Sequence, residues 1–361
     1  MGLPVLLVLT SLFCLRPREL AAAVSRPALA ALLVIALIAW AAASSFWSPY
    51  HGHDQALKLI ALIPMGMVVV WAAQTETPQS WVPPLTVAAF FSLAALLAIE
   101  GLADMPLNRA ANPDRQEDLE IARNVNRGAI VSLALTWPAL AYAAATSRPR
   151  LGLLIAGISI ALTFPFGMAA HMAACLGGLL VYVLARALPG AVLLIVSSGL
   201  AAWTLLAPFA TRLLIANTSL LDTLPYSWAA RLGIWGYICD EIAERPWIGH
   251  GLDASRSVVD QLTIHGDTMR AVPLHPHSAS LQIWYETGAV GALLAAAALL
   301  AGGWALSKAL RNNRPAAAAA AAALASLGLV ANLSFGIWQE WWIATMLVAA
   351  ASISALSTAP R

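Results

Sequence analysis

The chain is 361 residues long, 60% hydrophobic and only 11% charged, with a mean hydropathy of +0.75. A water-soluble domain carries about 25% charged residues, so a soluble enzyme, a disordered chain and a fibrous repeat are excluded. The net charge of +2 says little, but its distribution says more. Residues 28–48, 81–99 and 189–211 hold no charge, and 56–73 hold only Lys58. Each of these runs can cross roughly 30 Å of hydrocarbon as a helix, which marks a polytopic membrane protein.

In chain order the predicted spans are 3–15, 27–47, 56–74, 81–101, 128–146, 151–167, 169–187, 189–208, 284–306, 316–333 and 341–357. The expected fold is all-α, with about eleven membrane helices in one domain covering 1–361 and a long loop at 209–278. The run at 3–15 is short and reads as the tail of a helix. A cleaved signal peptide needs positive charge before its apolar run, whereas Arg16 and Arg18 follow this one. Residues 109–124 alternate acids and arginines without hydrophobic periodicity and read as a solvated loop. The eight alanines of 316–323 form a helix of weak membrane affinity, which must lean on its neighbours to stay inserted.

Sorting the connections by parity gathers Arg148, Arg150, Arg186, Lys308, Arg311 and Arg314 on one side with few acids. Short basic loops mark the cytoplasmic face, so the loops 102–127 and 209–278 are expected outside.

Cys14, Cys175 and Cys239 offer neither a disulfide framework nor a zinc spacing. There is no GxxxxGK[ST], hence no P-loop, and no internal repeat. His51-Gly-His53-Asp54 reads as solvated loop histidines. His275 and His277, split by a proline, have no carboxylate motif to complete a metal site. Trp338-Gln-Glu-Trp-Trp342 reads as an aromatic anchor at the membrane interface.

The loop 209–278 is far longer than a connection needs, and long ordered loops are usually functional. Within it Ser227 is an expected N-cap, followed by Trp228, Leu232, Trp235, Cys239 and Ile242 at helical spacing. That pattern predicts an amphipathic helix at the membrane surface with its tryptophans at headgroup depth. Arg231 lies beside the apolar stripe. It is either a snorkelling headgroup anchor or a guanidinium aimed at a phosphate-bearing substrate.

The loop ends in His275-Pro276-His277-Ser278. Pro276 suits a first helical turn, and His277 would then sit at a helix N-terminus, where the dipole disfavours imidazolium. A neutral imidazole is what a general base must be; a capping or interfacial histidine is the competing reading. Ser278, Gln282 and Glu286 share one helical face that descends about 12 Å into the membrane. Polar groups there are costly and read as substrate contacts.

His277-Ser278, nine residues, Gly288, two residues and Gly291 resemble the signature of the O-antigen ligase family, shared with O-antigen polymerases and some bacterial oligosaccharyltransferases. Arg231-Leu-Gly-Ile-Trp and Arg245-Pro-Trp-Ile-Gly-His-Gly251 resemble the segment before that histidine. Asn126-Arg127-Gly128 and Ser45-Phe-Trp-Ser48 resemble further landmarks. The resemblance implies a glycosyltransferase of the bacterial inner membrane acting on its periplasmic side. Its donor would be a glycan on undecaprenyl pyrophosphate, and its acceptor the lipid A core or another glycan. It implies no metal, cofactor or nucleic-acid partner. His277 matches the family's catalytic histidine and Arg231 its loop arginine. A second family arginine, expected in the turn Thr163–His171, is missing. Arg127 is the preferred substitute, with Arg256 and His171 as alternatives. A transporter of lipid-linked glycans, needing cations but no base, is the competing class.

Overall fold

The computed structural model describes residues 28–73, 81–113, 118–165, 169–216 and 223–358; the predicted run at 3–15 lies outside them. Their elements are α1 (Leu29–Ser44), α2 (Asp54–Ala72), α3 (Val82–Leu102), α4 (Pro106–Ala111), α5 (Asp118–Ala145), α6 (Pro149–Ala161), α7 (Ala169–Ala187), α8 (Pro189–Ile215) and α9 (Tyr226–Glu244). After these come β1 (Gln261–Ile264), β2 (Asp267–Arg270), α10 (Ala279–Ala309), α11 (Arg314–Leu333) and α12 (Glu340–Thr358). Among the described residues eight helices are long and apolar enough to cross a membrane, and two shorter apolar ones accompany them. The protein is an all-α polytopic membrane bundle.

The alanine tract lies at the bundle's centre. All eight alanines of α11 are buried, and the helix packs on α5, α7 and α8. Small side chains let backbones approach closely, the main source of helix association where lipid is as apolar as the protein. Trp137 of α5 and Trp342 of α12, both fully buried, belong to the same core. Leu153, Leu180, Val183, Ile195 and Leu213 stay exposed on the bundle's flank, where hydrocarbon is their solvent.

Several expectations need correction. Helix α5 begins at Asp118, well before 128. Ile121, Val125 and Ala129 are buried one turn apart, a stripe hidden among the charges. Helix α8 runs on to Ile215 through Pro208. The Thr204 carbonyl that Pro208 cannot serve instead accepts the Trp284 indole N–H at 2.8 Å. Helix α9 starts after Pro225, not at a Ser227 cap. Its Trp235 is buried inside the loop's own core, with Ala271, Val272, Leu281 and Tyr285, rather than at headgroup depth. The antiparallel β1–β2 hairpin was not foreseen. Trp338 and Trp342 are core residues, not interface anchors.

Because α5, α10 and α11 carry Arg127, Ser278 and Leu333 at one end and the Arg148, Lys308 and Arg314 turns at the other, the basic turns and the candidate site occupy opposite ends of the bundle.

Candidate active site

The site is built on an interrupted helix. Gly288 breaks α10 with φ 66° and ψ −166°, a conformation open only to glycine. The break strands carbonyls on one side and N–H groups on the other, and inside a membrane protein these must be satisfied. The 245–251 loop supplies the partners. The His250 and Gly251 N–H groups donate to the Tyr285 and Glu286 carbonyls at 2.8 and 2.9 Å. In return the Ala289 and Val290 N–H groups donate to Pro246 and Trp247 at 2.8 and 3.3 Å. The Trp40 indole takes the Thr287 carbonyl at 2.9 Å. Gly249, at φ 68°, sits so close that a Cβ there would lie 2.6 Å from the Glu286 backbone. The Ser45–Ser48 segment closes over this splice: Ser48 Oγ donates to the Leu252 carbonyl, and the Leu252 N–H donates to Ser44 Oγ.

At the centre stands Glu286, fully buried. Its Oε1 accepts from Ser255 Oγ (2.6 Å) and Gln282 Nε2 (3.1 Å). Its Oε2 accepts from the Asp253 N–H (3.0 Å) and the Trp338 indole (2.7 Å). Four donors from three segments converge on one carboxylate, which makes Glu286 a keystone of the frame rather than a lining residue.

The N-terminus of α10 meets the C-terminus of α11. Ser278 caps α10, accepting the Leu281 N–H, and Asn332 of α11 accepts the Ser280 N–H at 3.1 Å. The helix thus begins after Ser278, leaving Pro276 outside its first turn. His277 precedes the cap at φ 57°, and its backbone N–H donates to His275 Nδ1 at 3.2 Å. Its ring lies with Nδ1 2.7 Å from the Ser334 carbonyl. A carbonyl only accepts, so Nδ1 carries the proton and the neutral ring's lone pair is on Nε2. Arg231 serves the adjacent carbonyl: Nε donates to Leu333 at 3.0 Å and Nη1 to Ser227 at 2.8 Å. Its guanidinium also lies 5.3 Å from the Trp228 ring centre. Burial lowers its pKa from the usual value. A side chain tied inward this way is not a snorkelling headgroup anchor, and that alternative is corrected. His277 and Arg231 therefore grip consecutive carbonyls at one helix end.

A polar pocket of about 320 Å³ opens beside this turn. Arg127, Arg256 and Gln282 line it, with His275, Trp338, Trp341, Lys58 and Glu340. Arg127 is exposed, 5.6 Å from the Trp341 ring centre. Arg256 pairs with Asp253 at 3.3 Å. Burial pushes the Asp253 carboxyl up while Arg256 opposes the shift. His277 and Arg231 do not line the pocket; His277 adjoins it through His275, whose ring centre is 4.5 Å from its own. His171, 2% exposed on α7, is not among its lining residues. Ser278 and Glu286, read as substrate contacts, have their partners inside the protein. Among the described residues no group of three or more His, Cys, Asp or Glu is placed to hold a metal. Sequence reasoning noted Lys58 and His275 but did not place either among the site residues. The one charge in an otherwise apolar span was the signal for Lys58.

Residues 142–296, which include the 245–251 loop, Arg231 and His277, match the family model described as O-antigen ligase. A "Putative polysaccharide ligase" of Rickettsia conorii is 30% identical over 131 residues, covering 35% of this chain and 31% of that protein. Its namesake in Rickettsia felis is 24% identical over 231 residues, covering 61% and 55%. That of Rickettsia bellii is 28% identical over 189 residues, covering 50% and 45%. The chain thus spans about a third to a half of the length of the curated relatives it matches. Over that segment, and as a membrane bundle, the chain is similar to the O-antigen ligase family.

Proposed function

We propose that this protein transfers a glycan from undecaprenyl pyrophosphate to the lipid A core, at the periplasmic face of the bacterial inner membrane. The observation that carries this reading is the anchoring of His277: with Nδ1 on the Ser334 carbonyl, Nε2 is the basic nitrogen. In the reaction Nε2 takes the proton of the acceptor hydroxyl as its oxygen attacks the anomeric carbon. The carbon–oxygen bond to the diphosphate breaks on the opposite face, so the configuration inverts, and the diphosphate leaves with the bonding electrons. Arg231 and Arg127 stabilise that charge, with Arg256 beside Arg127 in the pocket, and no metal takes part. Cations preset where charge develops lower the barrier without reorganising. The basic turns at the other end of the bundle support a periplasmic site.

Gel analysis of lipopolysaccharide from a deletion strain tests the reading. A ligase leaves a lipid core without long chains, whereas a polymerase leaves a core bearing one repeat unit. Unchanged lipopolysaccharide contradicts both. Cysteines placed at Val259 and Ser147, with Cys239 replaced, check orientation. Only the first should label from the periplasm.

A further inference from the structure

The half-exposed pair between Lys58 and Glu340 holds a charge that the mechanism has not used. Lys58 is the only charged residue among positions 56–73, on the first turns of α2. An ionisable group in such a span is expensive unless it has work to do. Its Nζ lies 2.8 Å from Glu340 Oε1, and it faces the same pocket as Arg127 and Arg256. Both side chains of the pair keep access to water, at 36% and 51% exposure. An ion pair of this kind is weak, because water screens it and ordering two long side chains costs entropy. Arg256 also rests on a carboxylate, the buried Asp253, at 3.3 Å. Two of the pocket's three cations thus rest on carboxylates, arranged around a space large enough to admit a ligand.

The end of α2 that carries Lys58 is well fixed. Gln55, three residues earlier, donates to the Trp338 carbonyl, which pins this end of α2 to the turn before Glu340. The ammonium therefore has a defined post while its partner is replaceable. A diphosphate carries more charge and more acceptor oxygens than a single carboxylate, and can displace it.

Resting on the diphosphate reading above, we propose that Lys58 is a diphosphate-binding cation of this pocket, held in place by Glu340 and handed from that carboxylate to the incoming substrate. It supplies the positive charge that the Thr163–His171 turn lacks.

The test is titration of geranyl diphosphate into the purified full chain in detergent, followed by calorimetry, for wild type, Lys58→Met, Lys58→Arg and Glu340→Gln. Lys58→Met should weaken binding about tenfold or more, the worth of one charge-assisted hydrogen bond. Lys58→Arg should stay near wild type, and Glu340→Gln should bind at least as tightly as wild type. A merely structural tie between α2 and α12 behaves differently: both partners' removal would weaken binding alike, and that result overturns the proposal. Equal binding by wild type and Lys58→Met also overturns it while leaving the diphosphate reading intact. If wild type itself does not bind the probe, that reading falls too. Should Lys58→Met fail to fold, Glu340→Gln still decides: weakened binding there contradicts the exchange.

Discussion

The splice of the 245–251 loop into α10 and the pocket beside it share residues but are built on opposite terms. In the splice five backbone groups stranded around Gly288 find partners on other segments, and the one carboxylate, Glu286, is sealed by four donors. In the pocket Lys58 and Arg256 stay partly exposed, each resting on a single carboxylate. Buried polar networks are rigid when fully satisfied and costly when broken. Exposed ion pairs add little stability and exchange partners readily. The contrast separates a frame, which fixes where α10 begins and hence where His277 stands, from a surface free to trade its contacts for a ligand.

That contrast can be broken at several points. The largest effect is expected for Glu286→Ala, which strands buried donors of Ser255, Trp338 and Asp253 at about 1–3 kcal/mol each. Membrane abundance and the thermal midpoint in detergent should both collapse; near-normal values would show that the carboxylate is not a keystone. Gly288→Ala comes next, because left-handed strain alone costs roughly 1–3 kcal/mol and the new Cβ meets the Trp247 backbone. A wild-type midpoint in that variant would mean the break can relax. Trp40→Phe removes only one indole donor from the Thr287 carbonyl, so a loss of about 1 kcal/mol is expected. The smallest stability change belongs to the pocket. Arg127→Gln should leave the midpoint within about 0.5 kcal/mol yet slow glycan transfer. A large drop in midpoint there would erase the distinction between frame and surface.

Much of the frame could be read from the chain, but not its wiring. Hydropathy found the spans because a helix in lipid needs little beyond length and apolarity, and the i, i+4 spacing placed Ser278, Gln282 and Glu286 on one face. What spacing does not carry is the partner of each group. Gly288 reads as a motif glycine, but only a second segment, 245–251, explains why the helix breaks there. The same holds for Arg231, whose inward tether to Leu333 depends on a helix a hundred residues away. Trp338 resembled an interface anchor because tryptophan favours both settings, and Glu286, its partner, lies in another helix. Lys58 was visible as an isolated charge, but Glu340 was not visible as its mate.

Arg231 shows why a conservative exchange can mislead. Lysine at that position keeps the charge but cannot reach Leu333 and Ser227 together as the guanidinium does, so Arg231→Lys mixes structural and chemical loss. His277 offers a cleaner question. His277→Gln retains a polar side chain of similar size but not the basic Nε2. The most direct measurement is therefore the single-turnover rate of glycan transfer by purified His277→Gln, from a polyprenyl-diphosphate-linked glycan to isolated lipid A core. Thermal midpoint and geranyl diphosphate binding are measured on the same preparation. The account predicts a rate lower by about 10²–10⁴, the usual worth of a general base, with midpoint and binding unchanged. A wild-type rate in that variant would contradict it, and would leave the histidine as a structural residue at the start of a helix.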